Sequence, residues 1–225
     1  MLRQARRFGQ LWRFLGPGWL AYRLYHLLCL RSGYLRARLP AKDWSAWPLP
    51  SLFRDPALAR PEAWLEHRRQ AAPPFFFAPS DRPHFQPFFA RWDSQGTSPL
   101  PVARDLEQGR MVYFAHMPVK TGFPPDWHRN PLTGRSAPHD VHWSRLDEFA
   151  FGDIKVIWEP NRFAFVFALL RAYWRWNDER YPELFWRAIE DWHEKNSPQR
   201  GANWKCGQEI SFRLMAWCAG LYGFL

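Results

Sequence analysis

Apolar positions recur at helical spacing most clearly after residue 160. Phe163, Val166, Phe167, Leu170, Tyr173 and Trp174 fall at i, i+3, i+4, i+7, i+10 and i+11. This single stripe predicts a helix that begins just after Pro160-Asn161 and is broken by Asn177-Asp178. A second helix is expected from about Tyr181-Pro182 to Asn196. Leu184, Phe185, Ile189 and Trp192 form its inner face, and Arg187, Glu190, Asp191, Glu194 and Lys195 lie mainly outside. Ser197-Pro198 ends it, because the residue before a proline is pushed out of the helical region. A third helix starts after Gly201-Ala202-Asn203-Trp204 and runs through Ile210, Leu214, Trp217 and Leu221, still apolar at Leu225. Three successive helices joined by short polar turns make antiparallel hairpins. An apolar helix with neither cap nor polar tail leaves a hydrophobic face uncovered, so the expectation is a fragment of a longer protein.

The stretch before these helices has a different texture. From Asp43 to roughly Pro101 prolines recur every few residues, as in Trp47-Pro48-Leu49-Pro50, Pro73-Pro74-Phe75-Phe76-Phe77 and Pro79-Ser80-Asp81-Arg82-Pro83. Each fixes φ and removes an amide donor, which argues against long helices and central strands. Only Pro61 to Ala71 reads as a short helix, with proline at its first position. The tract is expected to be an extended wrap pinned to the body by its aromatics. Arg110 to Ala115 has strand composition, and Pro118 to His142 is loop-like, with Gly122, Pro124, Pro125, Pro131, Gly134 and Pro138. The expected organisation is an arm over residues 1–42, a Pro-rich extended and loop region with short helices or strands over 43–148, and a helical region over 149–225.

Charge changes the picture in one place. Of a net +10 over 225 residues, residues 1–42 carry +9: Arg3, Arg6, Arg7, Arg13, Arg23, Arg31, Arg36, Arg38 and Lys42, with no acid. The high pI therefore describes the arm and not the body. Between the arginines stand Leu11, Trp12, Phe14, Leu15, Trp19, Leu20, Tyr22 and Leu24, interrupted by Gly16-Pro17-Gly18. A secretory signal needs an unbroken apolar stretch of roughly 7 to 15 residues and a small-residue cleavage site, so the arm reads as uncleaved. Nothing approaches the ~18 uncharged apolar residues of a membrane span. What remains is a broken, basic, amphipathic helix that either packs on the body or docks to an anionic membrane surface. No recognition motif accompanies the charge, so nucleic acid is not an expected partner.

Other composition excludes more than it selects. With 47% hydrophobic and 18% aromatic residues the chain has the apolar surface to fold. Cys29, Cys206 and Cys218 have no CxxC spacing, and the last two stand about 18 Å apart along one predicted helix, too far to bridge. No disulfide framework is expected, and cysteine usage selects no compartment. His139 and His142 are scattered over loops without partners at ligand spacing, so no metal or other cofactor is expected.

Candidate chemistry gathers at the helix starts. Lys155, Trp158, Glu159, Asn161 and Arg162 precede the first long helix. Asn203, Trp204, Lys205, Glu209 and Arg213 recur one helix pair later. In a barrel of helix hairpins both sets share one rim. Tryptophan offers a flat apolar face to a sugar ring, asparagine a two-way amide, and arginine or lysine a partner for carboxylate or sulfate. Glu209 and Arg213, at i and i+4, can pair along their helix. The alternative is structural: Asn161 and Asn203 as helix caps, the tryptophans as core, Glu209 with Arg213 as a buried strut.

The run Asp153, Lys155, Trp158, Glu159, Asn161, Arg162, Leu169, Ala172, Tyr173, then Tyr181, Trp192, Asn196, Pro198, Gly201, Asn203, Trp204, Glu209 and Arg213 resembles the N-terminal helical domain of the heparinase II/III family of polysaccharide lyases. Asp126-Trp127 and His142-Trp143 resemble the segment leading into it. The resemblance implies a mainly α chain: the start of an (α/α) toroid of antiparallel helix hairpins, incomplete here and preceded by the Pro/aromatic-rich region and the basic arm. It implies β-elimination on acidic, uronate-containing polysaccharides and a periplasmic or cell-envelope setting. In that family an Asn-His pair neutralises the uronate carboxylate, and a Tyr and a His move protons. This chain has no Asn-His dipeptide, so no catalytic residue is transferred to it. The matching Trp158, Asn161, Arg162, Asn203, Trp204 and Glu209 are expected to line or organise the groove, with Arg162 and Trp204 the preferred sugar contacts. Two other readings stand beside this one. In one, a non-catalytic helical module binds an anionic exopolysaccharide or a membrane surface. In the other, a partner chain covers the open helix.

Overall fold

Helix makes up most of the secondary structure in this computed structural model, which describes residues 2–71 and 75–224, with side chains from residue 13 onward. The side chains of Arg3, Arg6, Arg7, Leu11 and Trp12, and the residues Pro73, Pro74 and Leu225, named above, lie outside the described residues. The chain divides into two units, Met1–Ala41 and Lys42–Leu225.

In the first unit, α1 (Leu2–Arg31) is bent at Gly16, whose φ of 77° and ψ of 163° leave the helical region just ahead of Pro17. The expected break is a kink between two helical segments, at a φ that only glycine adopts freely. A short helix α2 (Tyr34–Arg38) follows left-handed Gly33.

In the second unit the elements run α3 (Pro61–Ala71), α4 (Arg82–Trp92), α5 (Leu100–Glu107), an antiparallel hairpin of β1 (Arg110–Tyr113) and β2 (Met117–Lys120), then α6 (Ile154–Asn161), α7 (Phe165–Trp176), α8 (Arg180–Lys195) and α9 (Gly207–Gly223). The helix expected over 61–71 and the strand expected from Arg110 are present. In the hairpin Met111 faces Val119, and Met111, Tyr113 and Val119 turn inward.

The Pro-rich tract holds more helix than the one expected at 61–71: α4 lies within it and α5 begins at its end. Pro83 and Pro101 occupy first-turn positions, where the missing N–H has no intrahelical partner to lose. Only Pro87 is interior. What holds α4 is the far end of another helix. Arg82 donates from Nε to the Trp174 carbonyl at 3.0 Å, from Nη2 to the Tyr173 carbonyl at 2.9 Å and from Nη1 to Asn177 Oδ1 at 2.5 Å. Gln86 adds a bond to the Trp174 carbonyl at 3.0 Å. Those carbonyls lie in the last turn of α7, where the Tyr173 carbonyl also accepts the Asn177 amide at 2.8 Å and where a cation meets the negative end of the dipole. Phe77, Phe85 and Phe89 pack their rings around Trp174, so the aromatics do pin the tract to the helices.

Two further differences concern the first stripe. Phe163 sits outside α7, in the left-handed region at φ 57°, and is fully buried at the junction with α6. α6 itself was not anticipated, because Pro160 near its end masks eight helical residues capped by Asp153, whose carboxylate accepts the Lys155 amide at 3.0 Å.

α7 turns into α8 at Asn177, which is left-handed. The two run antiparallel: the Tyr173 hydroxyl reaches Glu179 at one end, and Trp192 reaches Asn161 at the other. α9 runs in the direction of α7, tied by Arg162 to Glu209 at its start and by Trp174 Nε1 to the Gly223 carbonyl, 2.7 Å, at its end. Val166, Leu169 and Ala172 of α7, Phe185, Ala188 and Trp192 of α8, and Ala216 of α9 close the core. Among the described residues no helix is long and apolar enough to cross a membrane.

Helices α8 and α9 approach closely at Gly220. A Cβ there would stand 2.5 Å from the buried Phe185 ring. Alanine improves helix propensity by about 1 kcal/mol, but overpacking against a fixed ring costs ~1–3 kcal/mol, so the clash prevails. Gly220→Ala is expected to lower the thermal midpoint by about 2–6 °C, read by circular dichroism.

Candidate functional site

The two polar clusters meet at one end of the helices, joined through a segment neither contains. Trp127 is fully buried, its ring stacked on Phe163 at 5.1 Å and 7° and its Nε1 donating to Asp191 at 2.7 Å. Its backbone carbonyl accepts from Asn161 Nδ2 at 2.9 Å and from Asn203 Nδ2 at 3.1 Å. One acceptor thus fastens the end of α6 and the 3-10 turn Ala202–Trp204 to the loop that carries Trp127.

The remaining valences of the two amides are mostly spent inside. Asn161 Nδ2 also donates to the Ile157 carbonyl at 2.7 Å, and its Oδ1 accepts from Trp192 Nε1 at 2.7 Å. Asn203 Nδ2 also donates to Asn196 Oδ1 at 2.8 Å, and Asn196 donates to the Trp192 carbonyl. Neither asparagine caps a helix start: Asn161 is the last residue of α6, and Asn203 lies in the turn. Both are 1% exposed, which removes them from direct contact with a polysaccharide.

Arg213 completes the clasp from the other side. Its guanidinium donates to the backbone carbonyls of Asn161 at 3.3 Å and Asn203 at 3.0 Å. It lies 4.2 Å from the Trp192 ring centroid, 5.8 Å from that of Trp204 and 5.9 Å from that of Trp217. Burial pushes its pKa down to about 10, against the opposing pull of Glu209. The arginine remains charged at neutral pH, held by carbonyl dipoles and aromatic faces in place of water.

The i, i+4 pairing of Glu209 with Arg213 does not form. Glu209 instead takes Arg162 in a forked pair, Nε to Oε2 at 2.5 Å and Nη2 to Oε1 at 2.9 Å, across 47 residues of sequence. The third guanidinium nitrogen binds Glu159, whose other oxygen accepts the Phe114 amide at 2.9 Å. These bonds, the one to Glu209 foremost, hold the Arg162 pKa above its ordinary value. Arg162 is half-buried with one side toward the Phe212 ring, whose centroid is 5.8 Å from its Cζ. Geometry favoured this partner because Arg162 presents a planar fork to the carboxylate, whereas Arg213 is already spent on two carbonyls.

Of the other positions named in the sequence, Trp158 is buried with Nε1 donating to the Ala202 carbonyl at 2.9 Å. Trp204 is half-buried between Trp44 and Trp192, each ring centroid 5.9 Å away. Lys155 is exposed and outside the cluster, while Lys205 turns to the Leu146 carbonyl at 3.0 Å. Arg162 and Trp204 are therefore the two of the six with surface left to offer. No group of His, Cys, Asp or Glu suited to a metal ion occurs among the described residues. Cys29, Cys206 and Cys218 are free thiols, and Cys206 precedes α9 instead of lying within it. A cavity of about 520 Å³ lies elsewhere, against α4 and α7, walled by Phe85, Phe89, Trp92, Phe167 and Trp174. Its one cation, Arg171, is paired with Asp93.

Sequence reasoning missed the part played by the Trp127 carbonyl, by Asn196 and by the Phe114 amide. Backbone groups carry no residue signature, so no pattern in the chain pointed to the first or the last. No protein-family model, no curated protein and no solved structure matches the chain.

Replacing Asn161 with alanine leaves Trp192 Nε1 buried without an acceptor and strips a donor from the Trp127 carbonyl. The expected cost is about 3 kcal/mol, a fall in thermal midpoint of ~6–12 °C. His128, beside this clasp, supplies a pH test. Burial lowers its pKa below the ordinary 6.5, overriding a bond to the Lys195 carbonyl at 3.0 Å. The unfolded chain then takes up a proton near pH 6.5 that the folded one refuses, so stability is full above that pH and declines as pH falls through it toward the lowered value. Urea unfolding from pH 7.5 to 5 is expected to show this decline, and His128→Gln, which keeps a donor for the Lys195 carbonyl, is expected to flatten it.

Proposed function

We propose that this chain supplies the opening helix hairpins of an (α/α) toroid in a heparinase II/III-like polysaccharide lyase acting on uronate-containing acidic polysaccharides. One observation carries the reading. The two residue sets that resemble the family converge at one end of the helices, with Arg162 and Glu209 paired across 47 residues and Asn161 and Asn203 sharing the Trp127 carbonyl. A rim built of successive hairpin mouths requires such convergence. The direction of the helices supports it too, with α7 packed against an antiparallel α8 on one side and a parallel α9 on the other. So does α9, which leaves Leu214, Met215 and Leu221 exposed on its outer side, where a following hairpin would pack.

In this reading the six residues divide by burial. Asn161, Asn203, Glu209 and Trp158 hold the rim in shape, as their internal bonds require. Arg162 and Trp204 face the groove: the guanidinium edge for a carboxylate or sulfate and the indole for a sugar ring. Two carboxylates already flank Arg162, so its net pull on an anion is small. Its contribution is orientation of the sugar, at a charge balance that lets product leave. No proton-transfer step is assigned to any residue of this chain.

The decisive measurement is β-elimination by the gene product at its full encoded length. Heparan sulfate, alginate and other uronate polysaccharides are each incubated with it, and the ultraviolet absorbance of the C4–C5 unsaturated uronate is followed. A rise with at least one acidic glycan is expected, and Arg162→Ala is expected to reduce kcat/KM by about tenfold, ~1.4 kcal/mol. Absence of the unsaturated product with every uronate glycan would overturn the lyase reading; retention of such a glycan without cleavage would leave the rim as a binding surface.

A further inference from the structure

We propose that Met1–Ala41 is a monotopic anchor that lies in the surface of an anionic phospholipid bilayer, apolar face down, without crossing it. The proposal is independent of the lyase reading. It starts from how the kink at Gly16 sorts the residues. Before it stand Arg3, Arg6, Arg7 and Arg13; after it, residues 17–30 hold one arginine, Arg23, among Trp19, Leu20, Tyr22, Leu24, Tyr25, Leu27, Leu28 and Leu30; then come Arg31, Arg36, Arg38 and Lys42. An apolar segment is thus bracketed by cations at both ends.

The apolar segment is also sided. Ala21, Tyr22, Leu24, Tyr25 and Leu28 are all exposed, and at 100° per residue they fall within an arc of about 160° that also holds the buried Cys29, while the exposed Trp19 and Leu27 lie outside it. Tyr22 is 62% exposed and Leu28 66%, and Phe14, just before the kink, is 82%. Arg23, His26 and Arg31 fall outside that arc. A helix that exposes this much aromatic and aliphatic surface needs a cover.

Charge and length choose the cover. Nine cations without one acid in residues 1–42 would repel a second copy of the same arm, but they complement the phosphates of anionic lipids. Nucleic acid would satisfy the cations and leave the apolar arc in water. The fourteen residues 17–30 are about 21 Å long as helix, short of the ~30 Å hydrocarbon core, and the kink interrupts any longer run. A segment of this kind rests at the headgroup boundary, with tyrosine and tryptophan at the level such side chains prefer and arginines reaching back to the phosphates. Both segments of α1 can then lie in the surface plane, with the kink setting the angle between them.

Flotation of the full chain with extruded vesicles tests this. The chain is expected to rise with vesicles of equal phosphatidylglycerol and phosphatidylcholine and to stay down with phosphatidylcholine alone. Binding is expected to fall by about tenfold between ~0.05 M and ~0.5 M salt as screening shortens the Debye length. Tyr22→Glu with Leu28→Glu is expected to abolish flotation, and Arg31→Gln with Arg36→Gln and Arg38→Gln to remove the preference for the anionic vesicles. The thermal unfolding of both variants should match the parent, which separates loss of anchoring from loss of fold. Equal flotation with both lipid mixtures, indifference to the Tyr22 and Leu28 changes, or no flotation at all overturns the proposal. A stable dimer by light scattering that these same two changes dissociate would overturn it as well, by showing that the arc pairs with itself.

Discussion

A single backbone carbonyl, that of Trp127, is the point on which the helical unit turns. It accepts two buried amides, one from the last residue of α6 and one from the turn before α9, and so fixes where both sit. Arg213 closes the same pair of residues from the opposite side through their own carbonyls. The arrangement is self-consistent in a physical sense. Both asparagine amides answer buried acceptors, and loss of Asn161 leaves Trp192 Nε1 without its acceptor, as loss of Asn203 leaves Asn196 Oδ1 without its donor. Asn203 Oδ1 and the Nε1 groups of Trp204 and Trp217 beside it are buried without a partner.

Charge in this region follows the same logic of internal payment of polar valence. Arg213 is almost fully buried yet has no carboxylate partner of its own; carbonyl oxygens and three indole faces substitute for one. That freed Glu209 to reach across to Arg162, which a helix-local pairing would have prevented. The result is a chain of contacts from Phe114 through Glu159, Arg162 and Glu209 that spans the hairpin loop, α6 and α9. Rigidity at this end of the molecule is thus electrostatic and hydrogen-bonded, while the middle of the bundle is held by the packing of Leu169, Ala172, Phe185 and Ala216.

Much of this was legible in the sequence, and the rest was not for identifiable reasons. The stripe that predicted α8 has a clean period and a clear stop at Ser197-Pro198, whereas in α9 the apolar positions Leu214 and Leu221 are exposed and the buried face is Arg213, Ala216 and Gly220. α6 was hidden because a proline in eight residues outweighs a capping aspartate when only local signals are read. The helices at Arg82 and Leu100 were read as extended chain because proline density was counted without asking which prolines fall in a first turn. The helix at Arg82 is held by Tyr173, Trp174 and Asn177, some ninety residues away, and the one at Leu100 packs on α7 and β1. At the candidate site the residue types were right and their employment was not. Asparagine, tryptophan and arginine at helix starts suit a sugar and suit a buried network equally well, and only burial separates the two.

The clamp of Arg82 and Gln86 on the end of α7 has a consequence for the order of events during synthesis. Its contacts span 88 to 95 residues; Trp44 reaches the His193 carbonyl over 149, and Arg68 reaches Tyr222 over 154. Such separations are foreign to ordinary helical bundles, which fold quickly because their contacts are local. At ~5–20 residues per second a ribosome takes about 7–30 s to supply the partner of Trp44. For much of that interval, until Trp174 is made, Phe77, Phe85 and Phe89 lack the ring they pack against. The early half of this unit therefore cannot reach its final packing until nearly all of the chain exists.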